Sequence, residues 1–191
     1  MALIDRVKNI LLAPRAEWPR IAEETATVQS LYVGYILILA ALGPIVMAIS
    51  SVLRGSIAGI GVAVVSYGIS LAVTYLLAMI VDALAPTFGG EKNFSQSLKL
   101  TAYSYTAAWL GGIFQLVPAI GGIIGLVAMI YAFYTFYLGV AVMKKCPQDK
   151  AVVYTIVVVL CGILIGAVLA AVLMSALVGG ETGMMGLGMM R

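Results

Sequence analysis

Four long stretches of the chain carry no charged side chain at all: residues 25–53, 55–81, 100–143 and 151–180. They hold 29, 27, 44 and 30 residues, 130 of the 191. A helix needs roughly 20 apolar residues to cross a bilayer, so each window is long enough. A soluble fold has no core large enough for so much uninterrupted apolar chain. Composition agrees: 63% of residues are hydrophobic and 10% charged, against about 45–50% and about 25% in a soluble domain. The expected fold class is all-α, a polytopic helical membrane bundle. Barrel strands alternate apolar and polar over about ten residues, whereas these runs are apolar all round.

The windows predict five spans, at about 31–53, 57–84, 98–117, 123–143 and 151–178. The 44-residue window yields two of them. As one helix it would extend about 66 Å, twice a hydrocarbon core of about 30 Å. Pro118 and Gly121-Gly122 near its middle supply the break. Arg54-Gly55-Ser56 turns the chain between the first two spans, and residues 85–90, A-P-T-F-G-G, break it after the second. With a cytoplasmic N-terminus, Arg6, Lys8, Arg15, Arg20, Lys92, Lys99, Lys144, Lys145 and Lys150 fall inside. Only Arg54 and Arg191 fall outside. This bias predicts an N-in, C-out topology. No cleavable signal peptide is expected, since the first long apolar run begins near residue 31.

Several chemistries are excluded by inventory. Without histidine there is no Ser-His-Asp or Cys-His triad and no His-based zinc site. Cys146 sits in a polar loop and Cys161 in an apolar run, so two unpaired thiols are expected. A net charge of +3 is too small for a nucleic-acid binder, and no aromatic-basic patch accompanies it. No cofactor is expected; the partners expected are the lipid bilayer and, beyond it, proteins or further copies of the chain.

Residues 1–30 read as an interfacial segment. Leu3, Ile4, Val7, Ile10 and Leu11 recur at helical spacing opposite Asp5, Arg6, Lys8 and Asn9, which predicts an amphipathic helix at the membrane surface. Pro14 ends it, and Trp18 suits the aromatic belt. Residues 179–191 read as a flexible glycine- and methionine-rich tail. Met184, Met185, Met189 and Met190 form a weak candidate set for Cu(I), because thioethers are soft ligands. No histidine or cysteine supports them there.

Within the spans, small-residue spacing at Gly55/Gly59, Gly121/Gly125 and Gly162/Gly166 predicts close helix packing. Asp82, Lys99, Tyr103, Ser104, Tyr131, Tyr134 and Tyr137 form the candidate polar cluster. A hydroxyl in hydrocarbon needs a partner, so the tyrosine face of the fourth span is expected to look toward Tyr103 and Ser104. Asp82 and Lys99 end and begin consecutive spans, and we expect them to pair.

The pieces resemble the bacterial branch of the Yip-domain family of membrane proteins. They are R-V-K-N-I-L-L-A-P-R-A-E-W-P-R-I-A-E-E (6–24) with Tyr35, A-L-A-P-T-F-G-G (83–90) with Phe94, A-Y-S-Y-T (102–106), W-L-G-G-I-F (109–114), V-P-A-I-G-G (117–122) and Y-L-G-V-A-V-M-K-K-C-P-Q-D-K-A (137–151). The resemblance covers nearly all the chain to about residue 175. One departure is Ala107, where the pattern has proline and a kink. The family is named for eukaryotic members that bind Rab-type GTPases in vesicle traffic. The resemblance implies five spans, a cytoplasmic N-terminus and, for bacterial members, the inner membrane. Rab binding does not carry over to an N-terminal segment of about 30 residues.

The function expected is non-enzymatic: an integral membrane protein that organises protein or lipid partners. The alternative is a small transporter or channel with a path lined by the Tyr/Ser/Thr faces of the third and fourth spans. An intramembrane enzyme is disfavoured, because no nucleophile, metal motif or paired carboxylates accompany the Asp-plus-Tyr inventory.

Overall fold

The computed structural model of the protein describes residues 2–188, and among them there are helices and turns but no strand. Helix α1 is Leu3–Leu12 and α2 is Pro14–Glu23. Next come α3 at Val28–Leu53 and α4 at Ala58–Leu84, which tightens into a 3-10 turn at Ala85–Phe88. The chain then forms α5 at Phe94–Ser104 and α6 at Thr106–Gly111, extended by a 3-10 turn at Gly112–Leu116. Helix α7 is Pro118–Lys144 and α8 is Gln148–Gly188.

Local chemistry accounts for the ends. Thr27 and Ser30 form a reciprocal capping box at the start of α3, with bonds of 3.1 and 3.0 Å between each hydroxyl and the other's N–H. This satisfies two donors that the first turn leaves free. Asn93 caps α5 by accepting from Gln96 N–H at 3.1 Å, and Pro118 opens α7 where no N–H is needed. The turns use positive φ at Gly55 and Gly89.

Among the described residues, four helical stretches are long and apolar enough to cross a membrane: Val28–Leu53, Ala58–Phe88, Ala119–Lys144 and Gln148–Leu169. The fifth run, Phe94 to Leu116, is different in kind. It lies antiparallel to α7: Ser97 meets Lys144 at one end, and Gly111 abuts Ala128 at the other. Its length is about 34 Å at 1.5 Å per residue. Yet Ser97 to Ser104 is buried without interruption, so protein rather than lipid surrounds that part, while Ile113, Phe114 and Leu116 at the far end are exposed. Helices α4 and α7 flank it, and α8 closes over both. The run breaks at Tyr105 even though Ala107 replaces the expected proline; α6 begins one residue later.

Two expectations need correction. Helices α1 and α2 do not lie apart as a surface anchor. They form a helical pair against α5 and α7, with Arg6, Ile10, Glu17, Trp18 and Ile21 buried and Ile4 and Leu12 exposed. Tyr131 donates to Leu11 C=O at 2.6 Å, so the pair reaches 13 residues along α7 from Lys144, about 20 Å. The amphipathic spacing is real, but protein covers the apolar face at Leu3, Val7, Ile10 and Leu11 and leaves Ile4 open. The helix also continues through residues 179–188, where a flexible tail was expected. Met189 and Met190, and the side chains of Met184 and Met185, lie outside the described residues.

The glycine pairs divide rather than acting as faces. Gly59 packs against Ser51 and Gly121 against the backbone at Phe114, and Gly162 touches Leu77. Gly125 and Gly166 face open space, and Gly55 is a turn residue with nothing near it. Another tight site is Gly139, where a Cβ would sit 2.5 Å from the Trp18 ring and 2.6 Å from Leu100. Gly139→Ala is therefore expected to destabilise by about 1–3 kcal/mol through overpacking, read from SDS titration in mixed micelles; Gly125→Ala should be silent in the same assay.

Candidate functional site

The polar residues gather into two knots at the end of the bundle that carries α2, the 85–93 turn and the α7–α8 connection. The first is built around Arg6. Its guanidinium donates to the carboxylates of Glu17 and Glu24 and lies 5.5 Å from the centroid of the Tyr103 ring. Burial works against the Arg6 charge, but the hydrogen bond and charge of Glu24, then Tyr103 and Glu17, outweigh it and hold its pKa above the usual value. Glu17 is 1% exposed, so the arginine is its compensation. Lys99 reaches the other way. Its ammonium donates to Ile21 C=O at 2.7 Å and Glu24 C=O at 2.8 Å, a cation at the negative end of α2.

Tyr35 completes this knot. It sits in a widened π turn over Tyr32–Ile36, a feature often found where a helix must aim one side chain. Its ring meets Tyr103 edge to face at 4.6 Å, and its hydroxyl bonds Thr106 Oγ1 at 2.6 Å. A hollow of about 170 Å³ beside Arg6, Glu24, Ser30, Tyr35 and Tyr103 opens to the surface.

The second knot is built around Lys144, which is fully buried. Its ammonium donates to Asp82 Oδ1 at 2.8 Å, Ser97 Oγ at 2.8 Å and Asn93 C=O at 3.2 Å. Asp82 Oδ1 also accepts from Asn93 N–H at 2.7 Å and Ser97 Oγ at 3.1 Å. The turn is held beside it: Glu91 N–H donates to Lys144 C=O at 2.8 Å. The Tyr154 ring stacks on Phe88 at 4.8 Å, and its hydroxyl donates to Val81 C=O. Cys146 Sγ donates to Phe88 C=O at 3.2 Å.

The sequence-predicted residues are therefore brought together differently. Asp82 pairs with Lys144, not Lys99. Ser97 faces Asp82, and Lys99, two residues on, points about 200° around the helix. Tyr131, Tyr134 and Tyr137 do not converge on Tyr103 and Ser104. Spacing of three turns each about 60° off the last. Tyr131 consequently holds α1, while Tyr134 and Tyr137 are exposed on the outer surface. Tyr103 and Ser104, being adjacent, part company: Tyr103 joins the Arg6 knot and Ser104 faces an apolar cleft. Sequence reasoning missed Glu17, Glu24 and Lys144. The signal for Lys144 was present, as a cation ending an apolar helix near a turn that follows an acidic residue.

A bundle of apolar helices wrapped around a polar central run, with its ion pairs gathered at one end, is an integral membrane protein of the polytopic helical class. The family model described as Yip1 domain matches residues 8–186, and the chain belongs to that family. No curated protein and no solved structure matches the chain.

Proposed function

We propose that the protein is a non-enzymatic membrane component that organises protein or lipid partners in the bacterial inner membrane, crossing it five times with the N-terminus in the cytoplasm. The observation that carries the reading is how the ionisable groups are used. Arg6, Glu17, Glu24, Lys99, Asp82 and Lys144 are all committed to bonds that tie helices together. That leaves the α1–α2 pair and the exposed apolar helix faces as the surfaces offered to partners. The antiparallel course and length of Phe94–Leu116 support a fifth crossing, and the positive-charge bias supports the orientation.

Reconstitution in liposomes tests the functional reading. Ion and small-solute flux should equal that of empty liposomes, and Ile4→Ser with Leu12→Ser should change co-purifying lipid or protein without unfolding the chain. Flux above the blank would put the transport reading ahead. Topology is tested by reporter fusions after Gly55, Gly90, Ala119, Cys146 and Gly180, expected to alternate out, in, out, in, out. A cytoplasmic signal at Ala119 would reduce the count to three spans.

A further inference from the structure

Four serine and threonine hydroxyls lie along the buried part of α5 and the start of α6, and three are satisfied locally. Ser97 Oγ bonds Asp82 and Asn93 C=O, Thr101 Oγ1 donates to Ser97 C=O at 2.9 Å and Thr106 Oγ1 donates to Tyr103 C=O at 2.7 Å. Ser104 is the exception. It is 2% exposed, and among the described residues its Oγ has no hydrogen-bond partner. A buried hydroxyl left unpaired is costly, and helical serines commonly avoid that cost by donating to a carbonyl one turn back.

Ser104 instead lines a cleft of about 340 Å³ between α4, α5, α7 and α8. Leu77, Phe133, Phe136 and Val158 form much of its wall. Tyr105 lines it too, and its hydroxyl lies 3.8 Å from where a Cβ on Gly162 would stand. No bond to that hydroxyl is made by the described residues. A second hollow of about 420 Å³ shares Tyr105, Met129 and Gly166, so the space continues along α8. Gly166 leaves it open, since nothing lies within 4 Å of its Cβ position. Leu160, Ile163 and Leu164 beside it are exposed apolar residues on the outer surface of α8. The cleft therefore communicates with lipid.

We propose that this cleft binds an uncharged, lipid-soluble carbonyl compound, whose carbonyl oxygen accepts a hydrogen bond from Ser104 Oγ while its hydrocarbon runs toward Gly166. The chemistry selects this class. Two hydroxyl donors in an apolar wall want an acceptor, and a carbonyl brings no proton of its own to leave unpaired. A carboxylate or phosphate is disfavoured, because among the described residues no cation lines the cleft and Lys99 is spent on α2 carbonyls. The size lies within the usual range of small-molecule sites, about 300–1,000 Å³. Two membrane sources share the chemistry, a quinone ring and an acylglycerol ester. The inference goes beyond the partner-organising reading and stands without it.

Equilibrium binding to the full-length protein in nanodiscs tests it, with tritiated decyl-benzoquinone, dioctanoylglycerol and hexadecane as probes. One or both carbonyl probes should saturate, and the one that does so at lower concentration names the source. Ser104→Ala should weaken that binding about five- to tenfold without lowering thermal stability, since it removes only an unpaired group. Hexadecane binding should be the same in both proteins. Gly166→Phe, which fills the open space, should abolish binding of the carbonyl probes. No saturable carbonyl binding, or an affinity unchanged by Ser104→Ala, overturns the proposal; that arm decides alone where the bulkier variant fails to fold.

Discussion

Trp18→Ala is expected to cost the fold about 3–5 kcal/mol, the usual range for truncating a fully buried tryptophan. The ring is 0% exposed. It fills the space above Gly139, and its indole N–H donates to Thr135 C=O at 3.0 Å. Truncation removes the contact surface, strands nothing charged, and leaves a cavity between α2 and α7 that neither rigid helix can close. Trp18→Phe should recover most of the packing and lose the hydrogen bond, so it should fall between the two. SDS titration of the purified protein in mixed micelles reads the difference. Were Trp18 an interfacial anchor instead, alanine would change stability by well under 1 kcal/mol, as surface substitutions do.

The contrast shows which parts of the molecule were legible in its sequence. The all-helical class and the long apolar helices were, because charge-free windows and breakers such as Pro118 act through backbone geometry and bilayer thickness, which are local. The membrane class followed for the same reason. The surroundings of each helix were not. Residues 97–104 are polar for an apolar bundle because they lie buried among its helices, and hydropathy carries no record of whether a neighbour is lipid or protein. The α1 pattern misled in the same way, since an apolar face reads alike against headgroups and against α7. Side-chain partners were least legible. Asp82 was correctly singled out as a polar group needing an account. Its partner lies 62 residues away on α7, and only the antiparallel packing of α5 and α7 brings Lys144, Ser97 and Asp82 to one point.

That pairing carries the second large effect. Asp82→Ala leaves the Lys144 ammonium buried with only Ser97 Oγ and Asn93 C=O as partners. Breaking a buried pair from one side costs roughly 3–5 kcal/mol, against about 0–1 for an exposed pair. Asp82 is partly open, with its side chain 21% exposed, while that of Lys144 is 0% exposed. The two ends of the pair are therefore unequal. Removing the aspartate, which strands the enclosed charge, should cost about 3 kcal/mol, at the lower edge of the buried range. Lys144→Gln should cost less, because Asp82 keeps the Asn93 N–H and Ser97 hydroxyl and can draw on water. A double-mutant cycle with Asp82→Asn and Lys144→Gln should show strong non-additivity, the double losing little more than the worse single. The same cycle with Lys99→Gln in place of Lys144→Gln should be additive, since Lys99 serves α2. Additive losses for Asp82 and Lys144 would mean that the pair does not hold α4 to α7. The join would then rest on the Glu91–Lys144 backbone bond and, by way of α8, on the Tyr154–Phe88 stack, and Tyr154→Ala would be the more damaging change.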